Sequence, residues 1–299
     1  MDLLLIFGIV LLYSFQTLFC KLFTDRYPGK TELASPVFCI LEAVAIVLFT
    51  WAWVGFKFEL SWGTLLIGLG NAGALWLYNT SLIKAGRLGS YAFMNVMMLF
   101  GGILLPILYS IIFLGEGITT LQIIGVVVML GACVLMNLND IGKKEKDPNA
   151  KKTPLAYFIF CGLLFLANGI YGVFLKAQTE YNANQSNEMI MITFGVMGVI
   201  GLVQLIAQEK KGTISAFKLN LKCSIPLVVC LLSAALAINC VMMIIPLVDT
   251  AVFYTLDNGG VLMMSAVYAV LLFKEKATVN NIFGVLLAVA SMVLLSIPA

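Results

Sequence analysis

The sequence predicts an all-α integral membrane protein of ten transmembrane helices in two inverted five-helix repeats. Three observations predict it. Apolar residues make up 61% of the 299 residues and charged ones only 11%, with a mean hydropathy of +1.02. A soluble chain carries roughly 25% charged residues, because its surface must face water. Second, the chain echoes itself at a constant offset of 159 residues: Gly115 to Met136 lies over Lys274 to Leu295 without a gap, with 7 of 22 positions identical. The same register pairs Tyr109 with Tyr268, Gly101 with Gly260 and Ala92 with Ala251. A repeat that long is a folding module, not a solenoid unit. Third, positive charge gathers in alternate loops, as membrane topology requires.

Cutting at charged or turn-rich junctions gives spans at about 3–23, 34–56, 62–83, 89–114, 119–138, 154–177, 188–208, 223–245, 250–273 and 278–297. The first could pass for a signal peptide. It lacks a basic leading segment and a small-residue cleavage site, and it contains Tyr13 and Gln16, so it reads as helix 1. No alternating strand pattern suggests a β-barrel. The polar, Lys-rich segment 139–153 reads as a solvated linker between repeats 1–138 and 154–299. Five spans per repeat is an odd number, so the second repeat enters the membrane inverted.

Orientation follows from charge. Of 18 Lys and Arg residues, sixteen fall on the side holding loops 1–2, 3–4, 5–6, 7–8 and 9–10; only Lys57 and Lys176 fall opposite. This places the linker in the cytoplasm and both termini outside a cell (plasma) membrane. The net charge of +3 then reflects topology and anionic headgroups, with no nucleic-acid partner implied.

Seven cysteines are scattered singly with no Cys-x-x-Cys, and histidine is absent. Buried small hydrophobes, not disulfides or zinc ligands, are expected, and no metal or cofactor is implied. Any proton work falls to carboxylates. An enzyme would need a nucleophile or metal constellation, and neither these residue types nor a Gly-x-Ser-x-Gly string supplies one.

Gly115-Glu116, Thr119 and Gly125 follow a helix rich in small residues, and Glu275, Thr278 and Gly284 repeat the pattern, with Lys274 in place of the first Gly. Phe19 with Lys21 and Phe174 with Lys176 mark the first helix of each half. In these features the whole chain resembles the EamA-type repeats of the drug/metabolite transporter superfamily. The resemblance implies a ten-helix transporter whose central site is lined by helices 1, 3, 4, 6, 8 and 9. One position departs from it: the second helix of such repeats commonly carries an Arg, where this chain has Glu42. Transfer of an anionic substrate class from basic-lined relatives therefore does not follow.

Polar residues within the spans fall into matched stripes. Tyr13 aligns with Asn168 and Gln16 with Tyr171; Asn95 aligns with Tyr254 and Met98 with Asp257. Tyr78 and Asn79 on helix 3, Asn239 on helix 8, and Asn258 complete the candidate substrate-binding set. Such groups are costly toward lipid and belong on the bundle interior or a cavity, where they serve either a ligand or interhelical hydrogen bonds. Asp257 lies about 10 Å from the outer end of helix 9 at ~1.5 Å per residue. Glu42 lies at similar depth from the cytoplasmic end of helix 2. Each carboxylate needs a partner, a proton or a cavity, so both are candidates for proton coupling, with Lys21 or Lys84 as neutralising alternatives for Glu42. Glu116 and Glu275, read as lying at cytoplasmic helix ends, are expected to cap the following helices or to act as gate contacts. Pro106 and Pro246 are expected to free backbone carbonyls.

These residues suit a permease that moves a small polar, amine-bearing or cationic metabolite by alternating access, with Asp257 exchanging a proton for the amine. The expected partners are a small-molecule substrate, membrane lipids and protons, in a monomer or homodimer. Uncoupled facilitation, or import of a quaternary ammonium compound, fits the same residues. A channel or a lipid scramblase are the competitors of another class.

Overall fold

A computed structural model describes residues 2–29, 33–88, 91–143, 155–208, 217, 219–271 and 279–295. Among these the chain is helical throughout, with no strand. The α-helices among the described residues are α1 (Asp2–Arg26), α2 (Ala34–Trp53), α3 (Trp62–Leu88), α4 (Tyr91–Tyr109), α5 (Thr120–Lys143), α6 (Leu155–Asn182), α7 (Ser186–Gln208), α8 (Leu221–Ile244), α9 (Thr250–Leu271) and α10 (Val279–Leu295). Among the described residues, four helical stretches are long and apolar enough to cross a membrane by length and composition: Ala34–Trp53, Val96–Leu114, Leu155–Gln208 and Leu221–Leu247. The third of these contains both α6 and α7. Shorter apolar helices cover Leu4–Cys20, Thr120–Leu135 and Ile282–Leu295. Large side chains such as Leu4, Trp62, Phe113, Leu155 and Val203 stand exposed, as a lipid-facing surface requires.

Local chemistry sets the helix ends. At the start of α5, Thr119 and Gln122 form a reciprocal capping box: Gln122 N donates to Thr119 Oγ1 at 3.2 Å and Thr119 N to Gln122 Oε1 at 2.9 Å. Asn220 Oδ1 caps α8 by accepting from Cys223 N at 2.9 Å. Pro106 interrupts α4, since it offers no N–H to the carbonyl of Gly102. The helix then widens into a π-helical turn, Ser110–Leu114, and stops at Gly115, whose φ of 67° costs a glycine nothing.

The helices group into two compact units. The first comprises residues 1–10, 77–173 and 247–299; the second comprises 11–76 and 174–246. Each draws on both sides of the 139–153 linker, and α1, α3 and α6 supply residues to both. In the first unit α5 packs along α10: Ser291 Oγ donates to the Gly125 carbonyl at 2.6 Å, and Leu295 covers the face that Gly125 leaves open. Another contact joins α4 to α6 at backbone distance, because a methyl on Gly101 would strike the Phe165 carbonyl. In the second unit α2 packs along α7, with Gly198 against Ala43 and Gly201 against Cys39. Leu33, Val37 and Leu205 make one buried cluster there, and Phe23, Cys223 and Leu227 another.

Candidate functional site

In the first unit the expected polar residues of α3, α6 and α9 meet α4 around Met98 and Gly102. Asn168 Nδ2 donates to the Met98 carbonyl at 2.9 Å, and Tyr78 OH donates to Met98 Sδ at 3.1 Å. A methyl on Gly102 would fall 2.5 Å from Asn168 Nδ2 and 2.6 Å from Asn258 Oδ1, so only glycine lets both amides approach α4 here. One turn away, the fully buried Tyr254 donates its hydroxyl to the Gly172 carbonyl at 2.6 Å. Asn258 Nδ2 returns to the Tyr254 carbonyl at 3.0 Å, which leaves its Oδ1 turned toward Gly102.

Asp257 differs from these neighbours. Its Oδ1 is closed off from solvent and has no hydrogen-bond partner. Asp257, Tyr171 and Glu116 each lie within electrostatic reach of Tyr254. A buried carboxylate oxygen without a donor is costly, by about 1–3 kcal/mol and more when charged. Asp257 is therefore the position in this group where an incoming donor gains most. Asn79 is half-buried on α3 in the same unit, and the side chain of Asn95 lies outside the described residues.

The second unit holds the other expected residues. Glu42 is buried on α2 and accepts from Gln16 Nε2 at 3.3 Å, so its described partner is an amide of α1 and not a lysine. Cys230 Sγ donates to the Gln16 carbonyl at 3.3 Å. Tyr13 lies one turn earlier on α1, half-buried. Asn239, fully buried on α8, donates to Thr50 Oγ1 at 2.9 Å and to the Ala235 carbonyl at 2.7 Å. That is a structural role, although its Oδ1 remains unpartnered.

Glu116 is placed differently from the sequence expectation. The capping of α5 is done by Thr119 and Gln122, whereas Glu116 Oε2 accepts from Thr250 N, at 3.3 Å, and so caps α9. Gln122 Nε2 adds a bond to Asp249 Oδ2 at 3.1 Å. Glu116 thus stands at the end of the first unit where α9 begins. Residues 272–278, which include Glu275, follow the other end of α9. Glu275 itself is outside the described residues.

Sequence reasoning missed one polar assembly, at the junctions of α2 with α3 and α6 with α7. Gln185 Oε1 accepts from Ser61 N at 3.0 Å and from Thr64 Oγ1 at 2.9 Å. Gln178 Nε2 donates to Thr64 Oγ1 at 3.1 Å and to the Asn182 carbonyl at 2.8 Å. The polar run 178–188 was its only trace in the sequence, where it read as a connection. Among the described residues no cluster of His, Cys, Asp or Glu is arranged to hold a metal ion, and the seven cysteines are free thiols, buried or half-buried.

No protein-family model matches the chain, and no curated protein is similar to it in sequence. Its fold is similar to that of a solved protein known simply as "Crystal structure of protein", with a TM-score of 0.72, 13% identity, and coverage of 99% of this chain and 96% of the other. At that identity the likeness concerns the fold alone.

Proposed function

We propose that the chain is a secondary transporter of the drug/metabolite transporter type. In this reading ten spans form two inverted repeats, 1–138 and 154–299, in a plasma membrane, with the 139–153 linker cytoplasmic. The substrate is a small polar metabolite bearing an amine, moved by alternating access. Asp257 releases its proton to the aqueous side, and the resulting carboxylate binds the substrate ammonium. Tyr171 and Tyr254 contribute aromatic surface near the cation, and Asn168 and Asn258 orient polar groups. Because the carboxylate holds either the proton or the ammonium, the two are exchanged, which makes the protein an exporter driven by proton entry.

The observation that supports this most is the unpartnered Oδ1 of Asp257, enclosed beside a tyrosine and an asparagine on α9. A carboxylate kept for structure alone would be expected to have both oxygens satisfied. The test is transport in proteoliposomes. A labelled amine found by thermal-shift screening should show counterflow, meaning faster uptake when unlabelled amine is inside, and an imposed pH gradient should drive it. Asp257→Asn should remove the pH-driven component. A flux with no trans-stimulation would identify a channel instead, and stabilisation by anions alone would overturn the amine assignment.

A further inference from the structure

Beside the missed polar assembly in the second unit lies a half-open cavity of about 330 Å³. Its polar lining consists of Lys57, Glu59, Asn182, Asn184, Gln185 and Glu188, with one apolar side chain, Val54. That volume lies at the small end of the ~300–1,000 Å³ range of ligand pockets. Two neighbours in the left-handed region, Gly55 and Phe56 with φ of 67° and 62°, reverse the chain after α2 and bring Lys57 and Glu59 to the rim. Gln185 in the lining is held by its bonds to Ser61 and Thr64, and Thr64 in turn by Gln178.

Glu188 decides what such a cavity would take. The residue is only 6% exposed and lines the cavity. Its Oε1 accepts from Glu59 N at 3.5 Å, while Oε2 is buried with no hydrogen-bond partner. An ammonium placed in the cavity would supply the missing donor. An anion alone would meet two carboxylates, and a simple diamine would meet the Lys57 ammonium. A molecule carrying both an ammonium and a carboxylate matches Glu188 with one end and Lys57 with the other, and the amides accept or donate along its length.

We propose that this cavity is a second binding site, separate from the Asp257 group, for a small zwitterion with a primary amine. The assignment does not depend on the transport reading. It can be tested by calorimetric titration of the detergent-purified full chain with L-alanine, ethylamine, propionate and calcium chloride. L-alanine should bind and ethylamine should compete with it. Glu188→Gln should weaken both by about tenfold or more, the loss expected for a hydrogen bond to a charged group. Lys57→Gln, on the exposed rim, should weaken alanine and leave ethylamine unchanged. If Glu188→Gln does not fold, the Lys57→Gln comparison decides alone: equal effects on the two ligands overturn the proposal. Absence of alanine binding, or binding of propionate or calcium in its place, also overturns it. Alanine binding should persist in Asp257→Asn, so loss of transport there without loss of binding separates the two sites.

Discussion

The hydroxyl of Tyr254 donates to the backbone carbonyl of Gly172 at 2.6 Å, and a methyl on Gly172 would meet the same ring at 3.0 Å. The bond and the missing side chain are two halves of one contact, since any Cβ on residue 172 would push the ring away. Tyr254→Phe keeps the ring and removes the donor. It should lower stability in detergent by about 0.6–1.7 kcal/mol, the range for interhelical hydrogen bonds in membranes. Chemical unfolding of the purified variant measures this, and a transition indistinguishable from that of the parent would assign the bond no net contribution.

Gly101→Ala should be far worse than its size suggests. The added methyl meets the Phe165 backbone, which cannot rotate aside as a side chain would. Overpacking of this kind costs about 1–3 kcal/mol or more. Gly73→Ala is the control, because nothing lies within 4 Å of its added methyl. Alanine's better helix propensity makes that change neutral or slightly stabilising. Equal melting of the two variants would contradict the close α4–α6 crossing.

Asp257→Asn replaces a carboxylate oxygen that has no donor with a neutral amide of the same shape. Fold stability should hold or rise, while proton-driven transport is lost. A residue placed for structure would give the reverse, a marked drop in melting temperature. Thermal melts and proteoliposome uptake on the same preparation separate these outcomes.

Capping gives a paired prediction. Glu116→Gln keeps an oxygen able to accept from Thr250 N and should be tolerated. Glu116→Ala removes the cap of α9 and should cost about 1 kcal/mol. If the two variants unfold alike, the contact contributes nothing to stability.

Orientation can be read by labelling intact cells with a membrane-impermeant maleimide. A cysteine at position 57 should react from outside, and one at position 148 in the linker only after lysis. The reverse pattern would invert the assignment drawn from the lysines and arginines.

Helix positions were largely legible because lipid-facing segments are defined by composition, and composition is local. The stretch 34–56 anticipated α2 at Ala34–Trp53, and 250–273 anticipated α9 at Thr250–Leu271. The ends were harder. Helices α3, α5 and α6 run five residues past the expected stops, to Leu88, Lys143 and Asn182. Hydropathy marks where apolar surface ends, and a helix can continue beyond it with its backbone bonds intact. Within the sites, Tyr254, Asp257 and Asn258 stood out because each is a polar group at helical spacing in an apolar segment. The partners of Glu116 and Gln185 did not. Thr250 is 134 residues from Glu116 and Ser61 is 124 from Gln185, and no local pattern encodes such pairings.

The packing of α2 along α7, and of α5 along α10, bears on how such a chain could have begun. Each pair joins a helix from before the linker to one from after it, and glycines against the opposing helix let the partners approach. A five-helix ancestor would have displayed two unsatisfied stripes and could have covered them only with a sister molecule. On the proposed two-repeat reading, tethering two copies would make that assembly independent of concentration. Once paired within one polypeptide, the stripes could drift apart in sequence while staying complementary, which a self-pairing dimer forbids.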